Sequence, residues 1–148
     1  PTMKVMTHFI TSILLTIAIY PFFKLYSLWI LVGGFLIDFD HYLWSMFKQK
    51  TFSLKKSYYY HLHRSEKKNY DKDLLHLFHT IEFWIFMILA SFISYKTNNN
   101  FLFYMFSITF LGMVLHLSLD FSQLTKRKRL DARAISLIMW IKRNKFKH

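Results

Sequence analysis

The chain has 148 residues, enough for one domain, and 53% of them are hydrophobic although the formal net charge is +12. It contains no cysteine, which excludes disulfides, thiolate zinc sites and cysteine nucleophiles. With 3 Gly and 2 Pro the chain has few turn formers, so its composition favours long helices joined by short loops. High apolarity and high charge are compatible when they occupy different segments.

Two apolar segments near the N-terminus predict an antiparallel helical hairpin. The first, residues 3–20, is about 27 Å long as a helix, close to the hydrocarbon thickness of a bilayer, and Pro21 is expected to end it. The second, residues 22–37, follows with almost no loop, and Lys24 near its start can reach the membrane interface. No cleaved signal peptide is expected, because the first segment lacks a small-residue cleavage site.

A second pair of apolar segments follows a basic loop at residues 42–75. These segments, residues 78–95 and 101–121, flank a short polar turn at residues 97–100. Together the four segments predict an all-α fold, a four-helix transmembrane bundle made of two antiparallel hairpins.

The C-terminal tail, residues 126–148, is basic and contains an amphipathic stretch at residues 132–146. This pattern predicts a helix that lies on an anionic membrane surface. The whole chain is therefore expected to form a single membrane-embedded domain, with a C-terminal amphipathic interfacial helix added to the bundle.

The distribution of Lys and Arg predicts the orientation. The two short turns hold only Lys24 and Lys96, while the other eighteen of the 20 basic residues lie in the N-terminus, the basic loop and the tail. The positive-inside rule then places both termini in the cytoplasm, in a multi-pass protein of the cell membrane. Membrane lipids with anionic head groups are the expected partners, and no nucleic acid is expected. A soluble bundle with very apolar helices is the alternative.

Nine ionisable residues lie at the ends of the apolar segments and carry the chemistry of the chain. They are His8, Asp38, Asp40, His41, His76, His79, Glu82, His116 and Asp120. An ionisable group in a membrane span costs free energy unless it faces a partner or a wet cavity. Carboxylate and imidazole groups are ligands for zinc, manganese and iron, so the set predicts a metal site.

The hairpin geometry brings these residues to one level of the bundle. In an antiparallel hairpin, residues face each other when their numbers sum to twice that of the turn centre. His8 is then expected opposite Asp38, and His79 opposite His116. His76 is expected opposite Asp120, which lies one helical turn after His116.

Each residue also has a plainer interpretation. His8 can be a hydrogen-bonded histidine of the bundle, and Glu82 can cap the start of its own helix. His41 can complement the dipole at a helix C-terminus. His61 and His63 lie in the polar loop, where they are expected to be solvated unless the loop closes on a site.

The motifs resemble those of the predicted membrane-bound metal-dependent hydrolases, a family of small multi-helix membrane proteins. The matching blocks span residues 7–120 and read Thr7-His8, Gly34-x-x-x-Asp38-x-Asp40-His41, Leu75-His76-x-x-His79-Thr80 and Gly112-x-x-x-His116-x-x-x-Asp120. The resemblance implies metal-ligand roles for His8, Asp38, Asp40, His41, His76, His79, His116 and Asp120. The H-x-x-x-D block is also similar to part of the zinc site of zinc-dependent phospholipase C.

The functional hypothesis is a metal-dependent hydrolase of a phosphoester, such as a lipid head group or a lipid-linked phosphate. One or two ions are expected, with zinc first and manganese or iron as alternatives. Asp40 and Glu82 are the candidate general bases. The alternative is a non-enzymatic membrane protein with a structural metal site that anchors or binds a partner. An ion or proton pathway is less favoured, because a relay needs polar groups at several depths.

Overall fold

A computed structural model describes residues 5–57, 59, 75–126 and 134–145 of the chain. The α-helices are α1 (Val5–Phe23), α2 (Trp29–Gly34), α3 (Phe39–Gln49), α4 (Ile81–Lys96), α5 (Asn100–Lys126) and α6 (Leu137–Lys145). Short 3-10 helices occupy Lys24–Leu28, Leu36–Asp38 and Leu77–His79. No strand occurs in the described residues, which confirms the all-α prediction.

The first hairpin forms as predicted, although its turn lies later than expected. Helix α1 runs through Pro21 and ends at Phe23, so the proline lies in its last turn and the helix ends two residues later than expected. The chain then reverses in the 3-10 helix that begins at Lys24, whose φ of 51° is left-handed. Helix α2 returns along α1.

The second predicted segment is not one continuous helix. Helix α2 ends at Gly34, and Phe35 leaves helical geometry with φ −130° and ψ −50°. After one 3-10 turn, α3 begins at Phe39 and continues to Gln49. Residues 42–49, which the sequence analysis placed in the basic loop, are therefore helical. The break follows two consecutive glycines, which are poor helix formers.

The second hairpin joins α4 and α5 through the predicted polar turn. Asn98 adopts the left-handed conformation with φ 55°, and the Asn99 side chain accepts a hydrogen bond from the Leu102 N–H at 3.1 Å, which caps the start of α5. Between the two helices the hydroxyls of Ser91 and Ser107 are 2.6 Å apart. Helix α5 continues to Lys126, beyond the predicted end of the segment at residue 121.

Glycines allow the two hairpins to pack closely. A Cβ atom on Gly33 would lie 1.9 Å from the Thr109 carbonyl oxygen, and one on Gly112 would lie 2.6 Å from the Ile30 carbonyl oxygen. The backbones of α2 and α5 are therefore in direct contact. This close approach brings the end of α2 against the middle of α5.

The described part of the protein buries polar side chains and exposes apolar ones. Among the described residues, thirteen polar or charged side chains are buried but only six hydrophobic ones. Large apolar side chains along α1, α4 and α5 face outward. Two helical stretches, Met6–Phe47 and Asn100–Lys126, are long and apolar enough to cross a membrane by length and composition.

Candidate metal centre

Four predicted ligands form one group at the end of the bundle where α2 stops. Each offers one ligand atom, and the four atoms lie within 4.8 Å of one another; the residues are Asp38, His79, His116 and Asp120. Asp38 ends the 3-10 helix after α2, and His79 ends the one before α4. The other two lie one turn apart on α5. This largely buried group can hold a metal ion.

The distances between the ligand atoms fit tetrahedral coordination. His116 Nε2 lies 3.3 Å from both Asp38 Oδ1 and Asp120 Oδ2. His79 Nε2 lies 3.4 Å from His116 Nε2, 3.8 Å from Asp120 Oδ2 and 4.0 Å from Asp38 Oδ1. Ligands at 2.0–2.1 Å from a tetrahedral zinc are about 3.3 Å apart. Three of these five separations match that value, and the other two are somewhat longer.

A backbone carbonyl fixes the orientation of His116. Its Nδ1 lies 2.9 Å from the carbonyl oxygen of Gly34. A carbonyl oxygen can only accept, so Nδ1 donates its hydrogen and the Nε2 lone pair of the neutral ring faces the group. The contact depends on close packing, since a Cβ on Gly34 would lie 2.2 Å from Ser12 Oγ. No sequence motif marks this carbonyl as part of the site.

Asp40 fixes the orientation of His79. The His79 Nδ1–H donates to Asp40 Oδ2 at 3.0 Å, so in the neutral ring the Nε2 lone pair of His79 also faces the group. The same oxygen accepts the Phe78 N–H at 3.2 Å, and Asp40 Oδ1 accepts the His41 Nδ1–H at 2.7 Å. This arrangement is a carboxylate–histidine pair of the kind that supports metal sites.

His8 supports Asp120 rather than facing Asp38. Its Nε2 lies 3.2 Å from Asp120 Oδ1, and its ring stacks on His116 with centroids 4.0 Å apart. The predicted pairing with Asp38 does not occur, because α2 ends at Gly34 and the next turn carries Asp38 toward His116. Within the described residues His8 Nδ1 is buried without a hydrogen-bond partner.

His41 and His76 form a second layer beside Asp40. Their rings stack with centroids 3.8 Å apart, and His76 Nδ1 is 3.8 Å from Asp40 Oδ1. Asp40, His41 and His79 also lie close enough to hold an ion as a second group. However, the separations of 2.7 and 3.0 Å between Asp40 and the two histidines are those of hydrogen bonds. None of the contacts described here joins His76 to Asp120, so that predicted pairing stays a prediction.

Glu82 is in neither group. Its carboxylate accepts hydrogen bonds from Ser136 Oγ at 2.5 Å, Leu137 N at 2.9 Å and Ile138 N at 3.1 Å. It therefore caps the start of α6 rather than its own helix. The spacing of Glu82 in the sequence carries no signal for this role. His61, His63 and the basic residues 127–129 lie outside the described residues.

Comparisons of this chain with protein-family models, curated proteins and solved structures find no significant match. The resemblance to the membrane-bound metal-dependent hydrolases therefore stays a prediction based on the four sequence blocks.

Proposed function

We propose that the protein is a membrane-bound metal-dependent hydrolase that acts on a phosphoester at the cytoplasmic membrane surface. One observation carries the metal site: the Nε2 atoms of His79 and His116 face each other at 3.4 Å. Both Nδ1 atoms are donors to oxygen acceptors, so both Nε2 atoms carry lone pairs in the neutral rings. In neutral rings these two lone pairs repel each other, and a metal ion between them removes that repulsion. A proton on either Nε2 would do the same, so measured metal content distinguishes the two.

The donor set favours a single zinc ion. Two imidazole nitrogens and two carboxylate oxygens suit zinc in tetrahedral geometry, and two carboxylates neutralise a divalent ion in a buried site. Manganese and iron are the alternatives, and both commonly take more ligands than four. The short hydrogen bonds of Asp40 support an orienting role for it around one ion, in preference to a second ion.

The placement in a membrane is supported by the reversed distribution of polarity. A soluble bundle gains stability by burying apolar side chains, whereas the described helices turn them outward and bury His, Asp, Ser and Thr. We therefore propose the four-span arrangement with both termini in the cytoplasm, which keeps the basic loop and tail on the side of the site. Basic residues near a membrane attract anionic head groups.

Each residue of the site has a separate role in the proposed reaction. A zinc ion held by the four ligands would act as a Lewis acid toward a phosphoryl oxygen and would activate water. Asp38 is the most exposed ligand, with 19% of its side chain accessible compared with 9% for Asp120, so substrate approaches from its side. Asp40 holds His79 in place and remains the candidate general base. Glu82 is assigned to α6 instead.

A structural metal site is the second candidate, and a specific observation favours it. Four protein ligands complete a tetrahedron, and structural zinc sites are closed in this way. A hydrolase needs an open coordination position, which Asp38 can provide by moving aside. The two functions therefore differ in whether exogenous ligands reach the metal.

Elemental analysis of the purified protein tests the proposal. We expect about one transition-metal ion per chain, lost in His116→Ala and retained in Ser118→Ala, a control on the exposed part of the same helix turn. Phosphate release from vesicles containing phosphatidic acid should follow metal content. A metal-free wild type, or activity unchanged in His116→Ala, would contradict the proposal. The visible spectrum of the cobalt-substituted protein shows whether azide or phosphate reaches the metal. Full metal content together with a spectrum that neither ligand changes would favour the structural site.

A further inference from the structure

The C-terminal helix α6 is fixed to the end of the bundle that carries the site. The start of α6 and Ser136 before it make three hydrogen bonds to the Glu82 carboxylate. In addition, the Ile81 N–H donates to the carbonyl oxygen of Ile135 at 2.9 Å. Glu82 and Ile81 form the first turn of α4, directly after His79 and Thr80. The start of α6 is therefore attached two or three residues from a candidate metal ligand.

One face of α6 packs against the bundle. Trp140 contacts Trp44 of α3 edge to face, with ring centroids 6.4 Å apart. Trp44 lies one helical turn after Asp40, which orients His79. Helix α6 thus touches both elements that support the buried histidine, at the level of the site.

The other face of α6 is exposed and changes character along its length. Near its start the apolar side chains of Ile135, Ile138 and Met139 are 72%, 56% and 59% exposed. Lys142 and Arg143 are exposed nearer its end. Ile138 and Lys142 are one helical turn apart, so the apolar and basic side chains share one side of the helix. An apolar patch that continues into basic residues matches acyl chains next to phosphate head groups.

We propose that this face of α6 is the contact surface for an anionic phospholipid leaflet, and that Glu82 holds it beside the metal centre. The inference depends on the proposed function and narrows its substrate class to phosphoesters of membrane lipids. The occupant is a lipid surface rather than a partner protein, because in the proposed membrane arrangement the apolar stretches Met6–Phe47 and Asn100–Lys126 would cross a bilayer next to the helix. Glu82 is a positioning residue in this arrangement.

A single-cysteine label tests the contact surface, since the chain has no cysteine of its own. Ile138→Cys carries an environment-sensitive fluorophore in the full-length protein, reconstituted into phosphatidylcholine vesicles with or without phosphatidylserine. We expect the emission maximum of the label to shift to the blue, and the shift to increase with phosphatidylserine. Brominated lipid should quench the fluorescence of the label. Replacing Lys142 and Arg143 by Gln should reduce the equilibrium constant for contact between α6 and the leaflet about 25-fold, at about fivefold for each basic residue. The matched control replaces Lys24 and Lys96 by Gln, because both are exposed but lie in the two hairpin turns, away from the site.

Two results would overturn the contact surface. One is an emission typical of water in both kinds of vesicle, and the other is an equal loss in the Lys24 and Lys96 control. A blue shift that appears only with a second protein present would assign the face to a protein partner and reject the lipid proposal. Metal content measured on the same samples keeps the two proposals apart, because the label can report lipid contact even in a protein that binds no metal.

A second measurement tests the role of Glu82. In detergent micelles, Glu82→Ala should raise the rate of tryptic cleavage after Lys142 and Arg143 at least about tenfold, because three hydrogen bonds to a charged group are lost and α6 detaches from α4. Ser136→Ala removes one of the three hydrogen bonds and should give a smaller rise. Glu82→Ala should keep its metal. Unchanged cleavage in Glu82→Ala would show that the carboxylate does not hold the helix.

Discussion

Asp40→Asn separates an orienting carboxylate from a metal ligand. The carboxylate serves donors on both oxygens, with His79 at 3.0 Å and Phe78 at 3.2 Å on Oδ2, and His41 at 2.7 Å on Oδ1. An amide has one oxygen, so one histidine N–H would face the amide N–H₂ group. Losing one hydrogen bond to a charged group costs about 1.5–3 kcal/mol. Mutation of a residue that hydrogen-bonds to a metal ligand typically weakens metal binding roughly 10–100-fold.

The assay is competition for zinc with a chromophoric chelator, together with the visible spectrum of the cobalt-substituted protein. We expect Asp40→Asn to keep the wild-type stoichiometry and the tetrahedral cobalt spectrum while its affinity falls by that factor. Ser118→Ala serves as the control. A fall in stoichiometry from two ions to one would show that Asp40 is itself a ligand of a second ion. Unchanged affinity would refute the orienting role.

Three further predictions concern packing, the His8 contact and metal removal. Gly33→Ala should lower the free energy of unfolding by about 2 kcal/mol or more, measured by denaturation in detergent, because the new methyl overlaps the Thr109 carbonyl. His8→Phe keeps the stack on His116 but loses the donor to Asp120, so zinc affinity should fall about tenfold and recover partly in His8→Gln. Chelation should lower Tm, since an ion at a thousand times its Kd adds about 4 kcal/mol; an unchanged Tm contradicts a bound ion.

The sequence predicted the convergence of the site more accurately than its individual contacts. The turn arithmetic placed His79 opposite His116, and their Nε2 atoms are in fact 3.4 Å apart. This succeeded because α4 and α5 are regular helices around a short turn, and His79 lies only two residues before α4 begins. The same arithmetic misplaced His8, since it assumed that the second segment is one straight helix as far as Asp38. A local break after Gly34 invalidates that assumption.

Contacts between distant segments were the least predictable part. Nothing in the spacing of Glu82 indicates that Ser136, 54 residues later, will take its carboxylate. The helix dipole explains the contact afterwards, because an acid is favoured at a helix N-terminus whether it comes from the same helix or another one. The role of the Gly34 carbonyl likewise depends on how closely two backbones approach.

The helix break after Gly33 and Gly34 allows both Asp38 and Asp40 to contribute to the site. In a continuous helix, Asp38 and Asp40 would point about 200° apart, and only one could face the bundle. The non-helical Phe35 and the following 3-10 turn bring Asp38 to His116 Nε2, while Asp40 at the start of α3 reaches His79 Nδ1. The glycines that cause the break also bring the Gly34 carbonyl to His116 Nδ1. Close packing and ligand orientation therefore have the same local origin in the sequence.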